Sequence, residues 1–119
     1  MDRKKLIREY KDRAQPRGIF RVLNRVEDKS YVAATVDVPA ALNRERFQLG
    51  AGLHTNAALQ ADWKRLGSEA FAFETLDLLT AADKPDTDPA EELQVLEQLW
   101  LERLTPWGER GYNPRPVQR

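Results

Sequence analysis

Two stretches decide how this chain folds: Gly18-Ile19-Phe20-Arg21-Val22-Leu23 and Tyr31-Val32-Ala33-Ala34-Thr35-Val36. Both are rich in β-branched and aromatic residues, and the polar run from Asn24 to Lys29 between them has the composition of a hairpin turn. Downstream, Phe71, Phe73, Thr75 and Asp77 alternate with Ala72, Glu74, Leu76 and Leu78, which predicts a third strand. Around these strands lie helical patterns. Residues 3–13 carry Leu6, Ile7 and Tyr10 among charges, a thin apolar face ended by Pro16 and Gly18. Residues 39–49 open with a proline suited to a first helical turn and meet Gly50 and Gly52, which stop helices. After His54-Thr55-Asn56, Leu59, Trp63 and Leu66 recur at helical spacing up to Gly67. An acidic linker over 80–89 precedes Asp88-Pro89-Ala90-Glu91, a capping-box start for a long helix running to about Leu104. The tail from Thr105, with three prolines and two glycines, predicts no regular structure. The expected fold is α+β, a small three-stranded antiparallel sheet flanked by helices.

Composition narrows the chemistry. The 119 residues suit one domain and contain no cysteine, which excludes a disulfide scaffold, a thiolate nucleophile and a cysteine zinc site. A single histidine, His54, excludes a polyhistidine metal centre within one chain. No apolar run reaches the ~18 residues of a membrane span, and the charged N-terminus has no signal-peptide core, so a cytoplasmic protein without membrane contact is expected. Lys plus Arg and Asp plus Glu number 19 each, but unevenly: residues 1–26 hold nine basic and three acidic side chains, residues 81–98 one and six. The neutral total argues against tight non-specific nucleic-acid binding, while the basic N-terminal segment keeps a phosphate-facing patch open.

One residue breaks the pattern of the last helix. Leu93, Leu96, Trp100, Leu101 and Leu104 form its core stripe. Glu97 falls on or beside that stripe, where a carboxylate needs a cation, hydrogen-bond donors or a metal unless it reaches solvent at the edge. Phe20, Phe71, Phe73, Trp63 and Trp100 read as core. Tyr31 opens a strand and its hydroxyl needs a partner if buried. His54 reads as a helix-entry residue.

The order of these pieces resembles a known family. Gly18-Ile19-Phe20, ten residues, then Tyr31-Val32-Ala33 is similar to the paired strands of the GIY-YIG nuclease superfamily. The resemblance runs on through Gly52-Leu53-His54 to Leu59-Gln60, then Trp63, Gly67, Phe71-Ala72-Phe73-Glu74, Leu96 to Leu104 and Gly111-Tyr112-Asn113. It implies a GIY-YIG-like domain over 18–113, with a basic arm over 1–17 and a short tail over 114–119. It also implies a metal-dependent endonuclease that hydrolyses DNA phosphodiesters.

On that resemblance Glu97 is the glutamate that binds the cation, Mg2+ or Mn2+, held weakly without substrate because one carboxylate is a poor cage. Tyr31 is the second-strand tyrosine that holds or activates the attacking water, and His54 a histidine seen near the site in part of the family. Candidate nucleic-acid contacts are Arg17, Arg21, Arg46 and Lys64, and pairing into a homodimer would set two sites for double-strand cutting. Three positions depart from the family pattern. Phe20 stands in for the first tyrosine, and Ala33 replaces a glycine. Ungapped counting puts Ala41 where the family has its catalytic arginine; Arg44, three residues on and about 60° around the helix, is the substitute expected here. These departures support an alternative, a catalytically weakened domain that binds DNA or a protein. The apolar setting of Glu97 leads to the expectation that Glu97→Ala leaves the fold intact or slightly more stable.

Overall fold

The computed structural model describes residues 16–79 and 88–116. The expected helix over 3–13 and most of the acidic linker lie outside these residues. Strand β1 (Gly18–Asn24) and strand β2 (Lys29–Thr35) form the hairpin, with Phe20 opposite Ala33 and Val22 opposite Tyr31. The turn closes on Asn24, whose Oδ1 accepts from the N–H groups of Val26 and Glu27, both at 3.0 Å, and Asp28 takes the left-handed conformation at φ 53°. Strand β3 (Phe71–Leu78) pairs antiparallel on the other side of β1, giving the order β2-β1-β3. The simple alternation expected in β3 fails at its end. A register shift opposite Ile19 and Phe20 skips Leu76, so Asp77 turns to the opposite face from Phe71 and Phe73 and accepts from the Trp100 indole N–H at 3.0 Å.

Among the described residues, three α-helices cover the two faces. Helix α1 (Val38–Ala51) starts where the Asp37 side chain accepts from the Ala40 N–H, with Pro39 in its first turn. It runs through Gly50 and stops only at Gly52, whose φ of 75° places it in the left-handed region, with its N–H and that of Leu53 returning to the last turn. Helix α2 (Ala57–Leu66) is capped by Asn56, which accepts from the Leu59 N–H. These two helices lie on the β1 face bearing Phe20 and Val22. Val22, Leu49, Leu59, Phe71 and Tyr112 form one buried cluster there, and Phe20, Val38 and Ala41 a second. Helix α3 (Pro89–Leu104), capped by Asp88 through the Ala90 N–H, covers the opposite face. Its predicted stripe packs as expected: Leu93, Leu96, Trp100, Leu101 and Leu104 meet Ile19, Val32 and Leu76.

The segment after α3 corrects the sequence reading. It is short of repeating structure but tightly held along the outer edge of β2, where no further strand pairs among the described residues. Tyr112 N–H donates to the Ser30 carbonyl at 2.9 Å. Asn113 donates from Nδ2 to the Val32 carbonyl and accepts at Oδ1 from the Val32 N–H, at 2.7 and 2.9 Å, so one side-chain amide replaces a missing strand residue. Gly111 is needed for this approach: a Cβ there would sit 2.0 Å from the Pro106 carbonyl oxygen. The Tyr112 hydroxyl donates to Asp62 on α2 and accepts from the buried Asn24 amide, linking tail, helix and hairpin turn. Burial and the adjoining Asp62 carboxylate raise the Tyr112 hydroxyl above the ordinary tyrosine range. For Asp62, burial alone would act upward, but hydrogen bonds from Arg65 and Tyr112 and the charges of Lys29 and Arg65 outweigh it and hold the carboxyl low.

Asn113→Ala strips both bonds from the Val32 peptide. The expected loss is about 1–3 kcal/mol in a urea unfolding curve; a change within experimental scatter would show that the edge is satisfied equally well by water.

Candidate active site at the open edge of the hairpin

Glu97 reaches the same β2 edge from the other side of the tail. Its Oε2 accepts from the Ala34 N–H at 3.0 Å, two residues along from the Val32 groups held by Asn113. Among the described residues its second oxygen, Oε1, makes no hydrogen bond or ion pair, and the side chain is half-buried. The departure from the helical stripe therefore has a local cause. A carboxylate on α3 is drawn to the edge by an outward-facing backbone donor, which a charged acceptor satisfies well.

Tyr31 lies beside it. On β2 the side chains of Val32 and Ala34 turn toward α3, and that of Tyr31 turns to the α1 face. The carboxylate at the edge sits between these faces. Burial is the main cause that raises the Tyr31 hydroxyl above its ordinary value. The negative charges of Glu45 and Glu97 push the same way, and Arg44 opposes them. The charges of Glu97, Arg44 and Glu45 thus converge on one hydroxyl. Arg44 is exposed on α1 and makes no ion pair among the described residues, neither with Glu45 nor with Glu97. Its neighbour Glu45 turns the other way, inward.

Glu45 is the member of this group that the sequence did not single out. It is 5% exposed and binds His54, itself 8% exposed. The Asn56 N–H donates to His54 Nδ1 at 3.0 Å, so the ring proton sits on Nε2 and is donated to the Glu45 carboxylate. The His54 backbone N–H is held by the Gln60 side chain, whose amide in turn donates to the Leu49 carbonyl. Both ring nitrogens are engaged, which leaves His54 no free atom for a metal or a substrate. The ring stands edge-on to Tyr31, with centroids 5.6 Å apart and planes at 89°. His54 therefore positions the tyrosine, and Glu45 fixes His54. Spacing marks it in the sequence: Val38, Ala41, Glu45 and Leu49 share one helical face, so a carboxylate at 45 points into the core.

The remaining sequence candidates divide. Phe20 is 1% exposed within the cluster of Val38 and Ala41; without a polar atom it shapes the wall behind Tyr31 and takes no part in proton chemistry. Arg21 is on the other face of the sheet from Tyr31, paired with Glu74 at 2.6 Å, so it is no part of this site. Arg46 lies over the Phe73 ring, 4.6 Å from its centroid, and Lys64 lies against Gly52 at the end of α1. Arg17 is half-buried at the start of β1, its carbonyl accepting from the Leu79 N–H. Ala41 is buried, 1% exposed, with no side chain to offer a phosphate.

The described residues contain no group of three or more acidic or histidine side chains able to cage a metal ion, and none of their helices is long and apolar enough to cross a membrane. What Glu97 provides is one carboxylate oxygen without a partner among the described residues, a fit for a hard cation that keeps most of its waters and takes further oxygen ligands from a substrate.

No family model and no curated protein sequence matches the chain. Among solved structures it is similar to the catalytic domain of homing endonuclease I-TevI, at 24% identity and a TM-score of 0.66 over 82% of this chain and 96% of that one. A single-residue mutant of the catalytic domain of intron endonuclease I-TevI matches at 21% identity and the same TM-score of 0.66, over 83% and 93%. The chain thus has the fold of a GIY-YIG endonuclease catalytic domain, as its motifs suggested.

Two measurements check the site. In a spectrophotometric titration, the difference between wild type and Tyr31→Phe isolates Tyr31. Its phenolate band is expected only above pH 10, and a midpoint at or below the value of free tyrosine would contradict the burial described. A raised folded value also means that this group's stabilisation is complete below pH 10 and is lost as pH climbs through it. Separately, His54→Ala leaves Glu45 buried without its partner and is expected to cost about 3–5 kcal/mol, whereas exposed Arg44→Ala stays within about 0.5 kcal/mol, both read by chemical denaturation.

Proposed function

We propose that the chain is a divalent-cation-dependent endonuclease that hydrolyses DNA phosphodiesters at the β2 edge. The observation that carries the reading is the Glu97 carboxylate: one oxygen fixed by the Ala34 N–H, the other without a partner among the described residues, near a tyrosine hydroxyl that also feels the charge of Arg44. Glu97 would hold Mg2+ or Mn2+, and such a cation, when bound, supplies positive charge against the phosphate under attack. Tyr31 stays protonated through the neutral range, so its hydroxyl orients the attacking water and does not remove its proton. Arg44, exposed on α1 with its charge felt at that hydroxyl, neutralises negative charge developing on the oxygens of the pentavalent phosphoryl group. The Glu45–His54 pair holds the tyrosine ring from behind. Support for DNA as substrate comes from the fold shared with a homing-endonuclease catalytic domain.

A second reading, a binding module with weakened catalysis, is favoured by two observations. Ala41 offers no cation where the family pattern has arginine, and Phe20 offers no hydroxyl.

The test is cleavage of plasmid, branched and single-stranded DNA by purified protein, with chelator, Mg2+ or Mn2+. Glu97→Gln is the informative variant, because its amide oxygen still accepts the Ala34 N–H while the charge is gone. The expected outcome is stability within about 1 kcal/mol of wild type with cleavage lowered at least a hundredfold, and a lesser but clear loss for Arg44→Ala. Equal cutting by wild type and Glu97→Gln would remove the carboxylate from the mechanism. Binding without any cutting by wild type selects the second reading. Glu97→Ala, by contrast, also loses the bond to Ala34 and is expected to cost about 1 kcal/mol, against the sequence-based expectation of a neutral or stabilising change.

A further inference from the structure

Helix α1 has two unlike faces. Val38, Ala41, Glu45 and Leu49 point inward, while Asn43, Arg44, Arg46, Phe47 and Gly50 are exposed. Phe47 is 70% exposed, more than any other large apolar residue described, and Leu53 just past the helix end is 67% exposed. A lone apolar residue on a surface needs no explanation; the position of this one does. Phe47 follows Arg44 by three residues, on the same side and about 4.5 Å further along the axis, a distance near the rise of about 3.4 Å per nucleotide in one strand. The Leu53 N–H donates to the Gln48 carbonyl at 2.8 Å, which folds Leu53 back along the turn that carries Phe47. Lys64 lies against Gly52 at the same end. The only acid of α1, Glu45, is buried against His54, so the exposed charge of the helix is entirely positive.

An open aromatic face with Arg44 one turn away on the same side of the helix suits a nucleobase stacked on the ring while an adjoining phosphate meets the cation. A base inside regular duplex has both faces covered by its neighbours and reaches such a ring only after leaving the stack. We propose that Phe47, with Leu53, is a stacking site for an unpaired base next to the phosphate held at Arg44, and that the substrate is DNA with an unpaired or unstacked base beside the scissile bond. This rests on the nuclease reading above and adds the substrate class to it.

The experiment measures fluorescence anisotropy of the full chain in chelator, so that binding is read without cutting. Two labelled probes of equal length are used, one fully paired duplex and one with a single central unpaired base. Wild type is expected to bind the second more tightly. Phe47→Ala is expected to lose roughly ten- to hundredfold on that probe with little change on the paired one, and Phe47→Trp to restore the preference. Because the residue is exposed, its variants should melt with wild type. Equal affinities of wild type for both probes, or an unchanged preference in Phe47→Ala, would overturn this inference and leave the nuclease reading standing. A shift from dimer to monomer in Phe47→Ala by sedimentation, without change in probe preference, would identify the patch as a contact between copies and overturn it as well. Failure of wild type to bind either probe would overturn both readings together.

Discussion

The outer edge of β2 is the constraint on which the rest of the molecule depends. A strand edge carries backbone donors and acceptors that must find partners, and an unguarded edge invites pairing with another chain. Here the partners come from the far end of the sequence. Tyr112 takes the Ser30 carbonyl, Asn113 takes both groups of Val32, and Glu97 takes the N–H of Ala34. The same set of bonds closes the edge, anchors the last segment and delivers a carboxylate to the side of Tyr31. Removing water from the edge and building the candidate site are one structural event.

This arrangement explains why Glu97 can sit on an apolar stripe. The desolvation of a half-buried carboxylate is offset by a charge-assisted bond to a backbone donor that needs an acceptor anyway. The bond occupies one oxygen and fixes the direction of the other. The tyrosine beside it is set by a different device. Its ring is held by His54, whose two nitrogens are tied to Asn56 and Glu45, so its orientation is determined from inside the core. Of the charged groups around Tyr31, Arg44 is exposed and has no ion pair among the described residues, and Glu45 and Glu97 are each held by a donor from the protein.

Much of this was legible in the sequence, for identifiable reasons. The strands showed in alternation and β-branched content, and the helices in their caps: Asp37, Asn56 and Asp88 each accept a backbone N–H as their residue types favour. Glu97 was visible because it violated a period. The end of β3 departs from simple alternation because the bulge that skips Leu76 depends on pairing with β1, which no local pattern encodes. After α3, prolines and glycines signal the absence of repeating bonds, and the bonds there do not repeat; they are contacts to Ser30 and Val32 made by sequence-distant residues. Arg21 looked like one more available cation, and only the register reveals Glu74 opposite it. His54 stands out in the sequence as the single histidine, whereas its partner does not, since a carboxylate at position 45 declares itself only when the helical face is traced together with its neighbours across the fold.

The closing of the edge also orders events in time. The hairpin is built from neighbours in sequence, whereas the Val32–Asn113 contact spans 81 positions. Loop closure over such a separation is slow compared with forming a hairpin. During synthesis from the N-terminus, the strands, α1 and α2 are available while the edge of β2 is still bare. The carboxylate arrives with α3, and its neighbouring clasp only after Gly111 lets the chain pass Pro106. The tyrosine is thus placed by residues near it in sequence, whereas the carboxylate and the groups that satisfy the β2 edge come from the far end of the chain.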